Sequence, residues 1–184
     1  MNILLLSPHA SLEERLVKLG DTVTRTSLKV TTEYANKFDW IVSYGYRYII
    51  TQDILDAVRG QAINLHISLL PWNRGADPNL WSFLDDTPKG ITIHYIDSGL
   101  DTGDVIFQRK VEFKGEHTLA TTYSKLSNFV EISLEHLWPL IKMGIVKGTP
   151  QEGGGSYHVS KDKDAYLHLL TDGWNTSTTN LKRS

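Results

Sequence analysis

The chain has no cysteine among its 184 residues. Disulfide frameworks, thiolate zinc sites and cysteine nucleophiles are therefore excluded together. Long apolar runs are also missing, and nothing approaches the roughly 18 consecutive apolar residues that a membrane-spanning helix needs. The first apolar run, Ile3–Leu6, stops at Ser7 and lacks the basic flank and the small-residue cleavage site of a signal peptide. We therefore expect a soluble, cytoplasmic protein with no membrane partner.

An excess of charge of one sign is lacking as well. The formal net charge is −2 and the isoelectric point is about 6.4, so no global basic field favours nucleic acid as a partner. The run Lys-Asp-Lys-Asp at 161–164 alternates in sign and is typical of a solvated surface. No Gly-x-Gly-x-x-Gly motif follows the first apolar run, which argues against a nicotinamide dinucleotide site. The histidines at 9, 66 and 94 are too scattered to predict a zinc site, so no metal is expected.

The first half of the chain alternates between apolar runs and helical patterns. The runs that predict buried strands are Ile3–Leu6, Trp40–Ser43 and Ala62–Leu65. The helical patterns lie at Ser11–Leu19, Thr51–Val58 and Asp77–Leu84. Possible edge strands lie at Thr22–Thr24 and Leu28–Val30. Strands that alternate with helices indicate an α/β protein with a Rossmann-like, mostly parallel twisted sheet and helices on both faces.

The second half predicts two further strands, a long helix and a short extension. The strands, Ile91–Ile96 and Val105–Phe113, flank a Gly-rich turn. Thr118–Met143 has a helical pattern that Pro139 could kink or split. After it we expect a small strand at Tyr157–Val159, a short helical turn at Tyr166–Leu170 and a frayed polar tail at Thr176–Ser184. We predict a catalytic domain at 1–147 and a short C-terminal extension at 148–184 packed on it.

Three polar residues predict acyl-transfer chemistry. Asn64 and His66 lie two apart at the end of an apolar run, and residues i and i+2 of a strand point to the same face. Asp101 lies in the Gly-rich turn at 98–104. Acyl transfer to an amine needs donors for a developing oxyanion and a group that relays the amine proton. An amide, an imidazole and a carboxylate could meet both needs.

Each of these residues also has a purely structural interpretation. Asn64 and His66 could be a polar pair that satisfies backbone groups at a strand end, and Asp101 could be an ordinary turn residue. His94 lies on an alternating strand, where it could be a core histidine or could orient Asp101.

The spaced motifs resemble those of the folate-dependent formyltransferases, which act on glycinamide ribonucleotide, methionyl-tRNA and sugar nucleotides. They are Asn-x-His-x-Ser-Leu-Leu-Pro from Asn64, then His94, then Leu-Asp-Thr-Gly-Asp at 100–104. The resemblance runs from Met1 to about Lys147 and implies that Asn64, His66 and Asp101 are the catalytic triad. The chain departs from the family at Ile67, where most members have proline after the catalytic histidine.

Other segments look like one branch of that family. They are Asp39–Tyr46, Leu69–Gly75, Asp77–Pro78 and Thr87–His94. The branch contains small stand-alone enzymes that act on amino-sugar nucleotides of the pseudaminic-acid type and the formylation domain that starts the gramicidin synthetase. The resemblance implies 10-formyl-tetrahydrofolate as formyl donor.

The function has three alternatives, two of which differ in the acceptor. A chain that starts at Met1 and has no large C-terminal domain is expected to be free-standing, which favours a nucleotide-linked amino sugar over transfer RNA. The runner-up is a carrier-bound aminoacyl group in nonribosomal peptide synthesis. A third possibility is a non-catalytic folate-binding module. The oligomeric state is left open.

The resemblance also implies two sets of binding residues. For folate they are Tyr46, Arg47, Tyr48, Ile49, Ile50, Asp97, Ser98 and Gly99. For the acceptor we expect Ser7, His9, Trp72, Asn73, Arg74, Gly75 and Asp77. Arg74 is the candidate phosphate ligand because its planar guanidinium suits phosphate or carboxylate. The alternative is that Arg74 only packs its loop against the following helix.

Overall fold

The apolar runs form a central sheet in the computed structural model, which describes residues 1–181. In chain order the strands are β1 Asn2–Leu6, β2 Thr22–Thr26, β3 Trp40–Tyr44, β4 Ala62–His66, β5 Arg74–Gly75, β6 Gly90–Tyr95, β7 Val105–Lys110 and β8 Tyr157–His158. The α-helices are α1 Ala10–Lys18, α2 Thr32–Ala35, α3 Gln52–Ala57, α4 Pro78–Leu84 and α5 Leu119–Lys142. Short 3₁₀ helices follow at Asp162–Leu169, Gly173–Asn175 and Thr178–Asn180.

Six strands make the main sheet, in the order β2-β1-β3-β4-β6-β7. The first four of these are parallel to one another. β6 pairs antiparallel with β4, and β7 pairs antiparallel with β6. β5 and β8 form a separate parallel pair. The predicted α/β fold with a mostly parallel sheet is confirmed.

Side chains of β1 show why helices cover both faces of this sheet. Ile3 and Leu5 pack with α1 and α5, whereas Leu4 and Leu6 pack with α2 and α3. All four side chains are fully buried. A strand that is buried on both faces reads as a continuous apolar run, because alternate residues enter two different cores.

The long helix α5 is continuous through Pro139, so of the two effects considered for this proline the split does not occur. Pro139 is exposed and lies in the last turn of the helix. Thr118 caps the other end, where its side chain accepts a hydrogen bond from the backbone N–H of Thr121. Within residues 1–181, no helix has both the length and the apolar character needed to cross a membrane.

Leu28–Val30 is a loop and not the edge strand expected from its apolar residues. The hydroxyl of Tyr46 donates to the carbonyl of Leu28 at 2.9 Å and accepts from the N–H of Val30 at 3.2 Å. A tertiary contact with a tyrosine thus satisfies backbone groups that a strand would have paired.

The C-terminal extension packs against the start of α5. The N–H of Leu119 donates to the carbonyl of Thr176, and Leu181 is fully buried in an apolar cluster with α4. The expectation of a frayed tail is therefore wrong as far as Leu181, and its last part, 182–184, lies outside the described residues. The sequence missed this because one buried leucine in a polar segment has no periodic pattern.

The carboxyl ends of β1, β3 and β4 lie at one edge of the sheet. β2 lies on one side of β1 and β3 on the other, so the strand order reverses there. Ligands of open α/β sheets bind at such a reversal, outside the carboxyl ends of the strands. The residues that follow these three strands are Ser7, Gly45 and Ile67.

Candidate active site

The structure brings Asn64, His66 and Asp101 together at this edge. Asn64 Nδ2 donates to Asp101 Oδ1 at 3.2 Å, and His66 Nδ1 lies 3.6 Å from Asp101 Oδ2. The antiparallel register of β4 and β6 pairs Asn64 with His94. His94 Nε2 lies 3.5 Å from Asp101 Oδ1. The carboxylate is therefore surrounded by one carboxamide and two imidazoles.

Asp101 is fixed through both its side chain and its backbone. Its φ is 54°, a left-handed conformation that aspartate tolerates better than most residues. The N–H of Gly75 donates to Asp101 Oδ2 at 2.8 Å. Gln151 Nε2 donates to the carbonyl oxygens of Asp101 and Gly103 at 2.8 and 2.9 Å. The turn is thus held by β5 on one side and by the C-terminal extension on the other.

A backbone carbonyl determines the tautomer of His66. His66 Nε2 lies 2.9 Å from the carbonyl oxygen of Asn73. A carbonyl oxygen can only accept, so Nε2 carries the hydrogen and the neutral ring has its lone pair on Nδ1. Ile67, where the family has proline, is buried in the core. In this chain the Asn73 carbonyl therefore orients the ring of His66.

The same reasoning applies to His94. His94 Nδ1 donates to the carbonyl of Tyr95 at 2.7 Å, which leaves the lone pair of the neutral ring on Nε2. Nε2 accepts from Asn64 Nδ2 at 3.3 Å. The Asn64 amide thus has acceptors on its nitrogen side, which fixes the orientation of its carboxamide.

The electrostatics keep Asp101 ionised and His66 neutral. Burial alone would raise the pKa of Asp101, but His66, His94 and the N–H of Gly75 hold it well below its usual range. Burial lowers the pKa of His66, and the negative charge of Asp101 opposes this only in part. At neutral pH the site therefore contains a carboxylate beside an imidazole that can accept a proton.

A cavity of about 760 Å³ opens above these residues. Of the residues expected to bind folate, those that line it are Tyr46, Arg47, Tyr48, Ile49, Ile50, Asp97 and Gly99. Ser98, although described, is not among the lining residues. Asp97 Oδ1 shapes the turn by accepting from the N–H of Gly99 and the hydroxyl of Thr102, at 3.1 and 2.7 Å.

Two of the residues expected to bind the acceptor, Gly75 and Asp77, line the cavity. Gly75 has a φ of 89°, and a Cβ there would lie 2.2 Å from the carbonyl oxygen of His158. Only glycine lets β5 approach β8 this closely. The N–H of Gly75 is already bonded to Asp101, so it supports the carboxylate.

The other expected acceptor residues lie outside the part of the cavity wall that residues 1–181 form. Ser7 is fully buried and its Oγ accepts from the N–H of His9. The ring of His9 packs against that of Tyr44, with centroids 4.6 Å apart. Trp72 is partly exposed, with its carbonyl bonded to the hydroxyl of Ser68. None of these three side chains lines the cavity.

Asn73 and Arg74 also differ from the expectation. Asn73 is fully buried and its amide donates to Thr87 Oγ1 at 2.8 Å, so its side chain cannot touch a substrate in this structure. The guanidinium of Arg74 donates to Gln151 Oε1 through Nε and a terminal nitrogen, at 3.2 and 2.7 Å. Arg74 thus braces the residue that holds the Asp101 turn, and its partner lies in the C-terminal extension and not in the following helix, α4.

Sequence reasoning missed several residues of the site. One is Gln151, which holds the Asp101 turn. The others line the cavity and are Tyr123, Tyr157, His158, Ser160 and Lys163. Most of these lie in the C-terminal extension, where no periodicity or motif marks one polar residue above another. Residues 1–181 contain no group of three or more His, Cys, Asp or Glu placed to hold a metal ion.

Replacing Gln151 with glutamate should reduce turnover by about 10- to 100-fold, because displacing a reacting group by an ångström can cost this much. Glutamate keeps an acceptor for Arg74 but loses both N–H donors to the Asp101 turn. Steady-state kinetics should show a fall in kcat with little change in KM. Glu152→Gln is the matched control, since Glu152 is exposed next to it. Equal rates for Gln151→Glu and the wild type would contradict this role.

The Asp101 carboxylate lies 3.2 Å from the Asn64 carboxamide and 3.6 Å from the neutral imidazole of His66. All three lie at the ligand-binding edge of a Rossmann-like sheet. This fold and site define an enzyme of the acyl-transfer class. A family model described as formyl transferase matches residues 22–135. The chain belongs to the formyl transferase family, so the resemblance and the enzyme class predicted from the sequence are confirmed.

Comparisons with individual proteins agree. The crystal structure of the formyltransferase PseJ from Anoxybacillus kamchatkensis, in complex with UDP-4,6-dideoxy-4-formamido-L-AltNAc and tetrahydrofolate, is 54% identical with a TM-score of 0.93. The match covers 98% of this chain and 97% of that one. A sugar N-formyltransferase from Shewanella sp. FDAARGOS_354 shares the fold at 20% identity and a TM-score of 0.75, over 90% of this chain and 79% of that one.

A methionyl-tRNA formyltransferase from Francisella tularensis subsp. novicida is 35% identical over 144 residues. The match covers 77% of this chain but 45% of the relative. The chain thus spans about half the length of the curated relatives that it matches.

Proposed function

We propose that the protein transfers a formyl group from 10-formyl-tetrahydrofolate to the amine of a nucleotide-linked amino sugar. The observation that carries the chemistry is the contact of Asp101 with Asn64 and with a neutral His66, whose Nδ1 lone pair is open to a proton. The likeness to PseJ over nearly the whole of both chains supports the sugar acceptor, because the PseJ complex contains a formamido sugar nucleotide.

The cavity fits a reduced folate. Tyr48 and Ile49 are exposed on its wall, and Tyr46 packs edge-on against Tyr48 with ring centroids 5.4 Å apart. Flat aromatic ligands are bound by such apolar walls with a few polar groups. When bound, 10-formyl-tetrahydrofolate supplies an activated formyl carbon. We propose that 46–50 and the turn at Asp97 hold it so that this carbon lies above Asp101.

His66 and Asp101 move the proton. As the acceptor nitrogen bonds to the formyl carbon, it loses one proton to Nδ1 of His66. The imidazolium that forms is stabilised by the Asp101 carboxylate 3.6 Å away. The same proton then passes to the folate nitrogen as the bond from that nitrogen to the formyl carbon breaks. The proton taken from the amine is thus returned to the leaving group.

Asn64 stabilises the formyl oxygen as negative charge develops on it. Its Nδ2 contacts Asp101 and His94 at 3.2 and 3.3 Å, which is long for N–H hydrogen bonds. We propose that the formyl oxygen approaches Asn64 Nδ2 from the cavity and takes the place of the longer contact, the one with His94. Protonated His66 is a second donor. An oxyanion donor of this kind typically contributes about 10²–10³ in turnover.

We also propose the organisation and location that go with this activity. Residues 1–147 form the catalytic domain, and 148–184 form an extension on the same body, supported by the bonds from Gln151 to the Asp101 turn. A cytoplasmic location is supported by the substrates, because nucleotide sugars and reduced folates are both cytoplasmic metabolites.

The test is a transfer assay with 10-formyl-tetrahydrofolate and a series of nucleotide-linked amino sugars, including a UDP-4-amino sugar. The expected result is a product that is heavier by one formyl group, formed with release of tetrahydrofolate. Formylation of a carrier-bound aminoacyl group, with none of any nucleotide sugar, would favour the peptide-synthetase alternative. Tetrahydrofolate that raises the melting temperature without any transfer would indicate a non-catalytic folate-binding module.

A further inference from the structure

A second cavity, of about 340 Å³, adjoins the active site and is almost entirely apolar. It lies between the start of α4, the start of α5 and the 3₁₀ helix Gly173–Asn175. Its wall shares Ile67, Asp77, Pro78 and Tyr123 with the main cavity. Trp174, which is half exposed, also lines it. A ligand that fills the main cavity can therefore extend into this one.

Lys163 lies where the two cavities meet. It lines the main cavity, its Nζ lies 2.8 Å from Asp77 Oδ2, and it lies over the ring of Trp174 at 5.9 Å from the centroid. Asp77 takes one of its N–H donors, and an ammonium group has three. Asp77 therefore holds Lys163 in place while leaving donors for a ligand.

In the part of the chain that the structure describes, the main cavity has two cationic side chains in its wall, and each can be assigned to one of the two substrates. Among residues 1–181, the lysines and arginines that line the main cavity are Arg47 and Lys163. Arg47 belongs to 46–50, the segment assigned above to folate, whose glutamate tail is anionic. Lys163 is bonded to Asp77. Asp77 lies two residues after Gly75, whose N–H donates to Asp101. An anionic acceptor that reaches Asp101 from this side meets Lys163.

We propose that Lys163 binds the diphosphate of the acceptor and that Trp174 stacks on its nucleobase in the apolar cavity. This rests on the proposed function and assigns the nucleotide part of the substrate to the C-terminal extension. A diphosphate needs a cation and a base needs an apolar face, and the two are adjacent here. The amino sugar then lies between Lys163 and Asp101. Arg74, the candidate from sequence, is instead bonded to Gln151.

The phosphate contact is tested by calorimetric titration of UDP and of inorganic pyrophosphate into wild type and Lys163→Met. Loss of a charged hydrogen bond should weaken both ligands by about 10- to 100-fold. The affinity for tetrahydrofolate should not change. Lys161→Met is the matched control, because Lys161 is exposed and does not line either cavity in the described part of the chain. Lys163→Arg keeps the charge and should bind UDP within a few fold of wild type.

The base contact is tested separately with Trp174→Ala and Trp174→Phe. Trp174→Ala should weaken UDP by about tenfold or more, as loss of one stacked base does, and leave pyrophosphate binding unchanged. Trp174→Phe keeps a ring and should recover most of the affinity. Equal weakening of UDP and pyrophosphate by Trp174→Ala would overturn the stacking role.

The outcomes separate this proposal from the proposed function. If the wild type formylates a nucleotide sugar but Lys163→Met binds UDP as tightly as wild type, the subsite is wrong and the function stands. If the wild type binds neither UDP nor pyrophosphate, the subsite is wrong whatever the protein formylates. If UDP binding depends on Lys163 and Trp174 but no sugar is formylated, the nucleotide subsite is right and the proposed reaction fails.

Discussion

Asp101→Asn should lower the turnover number by about 10²- to 10⁴-fold, the range typical of a positioned acid–base group. Asparagine keeps the volume, tolerates the φ of 54° and still offers an oxygen to the N–H of Gly75. What it loses is the negative charge that stabilises protonated His66. Steady-state kinetics should show the loss mainly in kcat, with substrate affinities nearly unchanged.

His136→Ala is the control for this substitution. His136 lies exposed on α5, so its replacement should leave turnover within about twofold of wild type.

The dependence of kcat on pH separates a chemical role of Asp101 from a structural one. His66 must be neutral to accept a proton, so kcat should fall in acid as His66 becomes protonated. Because the pKa of His66 is lowered, this fall should occur below the ordinary histidine value of about 6.5. Asp101 raises the pKa of His66, so Asp101→Asn should move this limb to lower pH. Wild-type turnover in Asp101→Asn would rule out the mechanism.

Asp21→Asn should lower the free energy of unfolding by about 3–5 kcal/mol, the usual cost of removing one partner of a buried ion pair. The Asp21 side chain is 1% exposed, and Lys142 Nζ lies 2.7 Å from its Oδ2. The indole N–H of Trp138 donates to the same oxygen at 2.7 Å. The charge therefore ties the start of β2 to the end of α5. Urea unfolding would measure the change.

The pH dependence of this effect has a definite sign. Burial alone would raise the pKa of Asp21, but Lys142 and Trp138 outweigh it and hold the pKa below its usual range. The stabilisation is then fully present above the unfolded-state pKa of about 3.9 and is lost as the pH falls through the folded-state value. The gap in stability between wild type and Asp21→Asn should therefore close in acid.

The exposed pair Lys89–Asp86 is the control for the Asp21 experiment. Its distance, 2.9 Å, is similar, but the Asp86 side chain is 79% exposed. Asp86→Asn should cost no more than about 1 kcal/mol, because water solvates the exposed Asp86 carboxylate. Equal effects of Asp21→Asn and Asp86→Asn would show that burial does not strengthen the Asp21 pair.

Local sequence patterns were sufficient to predict the main strands of the scaffold and the placement of Asn64 and His66 in the site. The apolar runs predicted β1, β3 and β4, because a strand that is buried on both faces is apolar over most of its length. The two-residue spacing placed Asn64 and His66 on one face of β4, since strand geometry allows no other arrangement. The Gly-rich turn marked Asp101. Its link to the other two needed the family motifs, because the spacing alone does not say that the turn folds back.

Only the tertiary structure decided which polar loop residues line the cavity. Lys163 lies in an alternating charged run that looks the same whether it meets water or a cavity. Arg74 looked like a phosphate ligand, but the fold gives its guanidinium to Gln151, 77 residues away in the chain. Asn73 is buried because its amide meets Thr87 across the loop.

The sequence by itself therefore determined the α/β scaffold, the catalytic residues as candidates and the family, because these depend on short-range periodicity and on motifs. The tertiary structure decided the tautomers of the two histidines, the bracing of Asp101 and the role of the C-terminal extension. Those features depend on single contacts between distant segments. A single contact leaves no repeating pattern in the chain, so its partners can be identified only once the fold has brought them together.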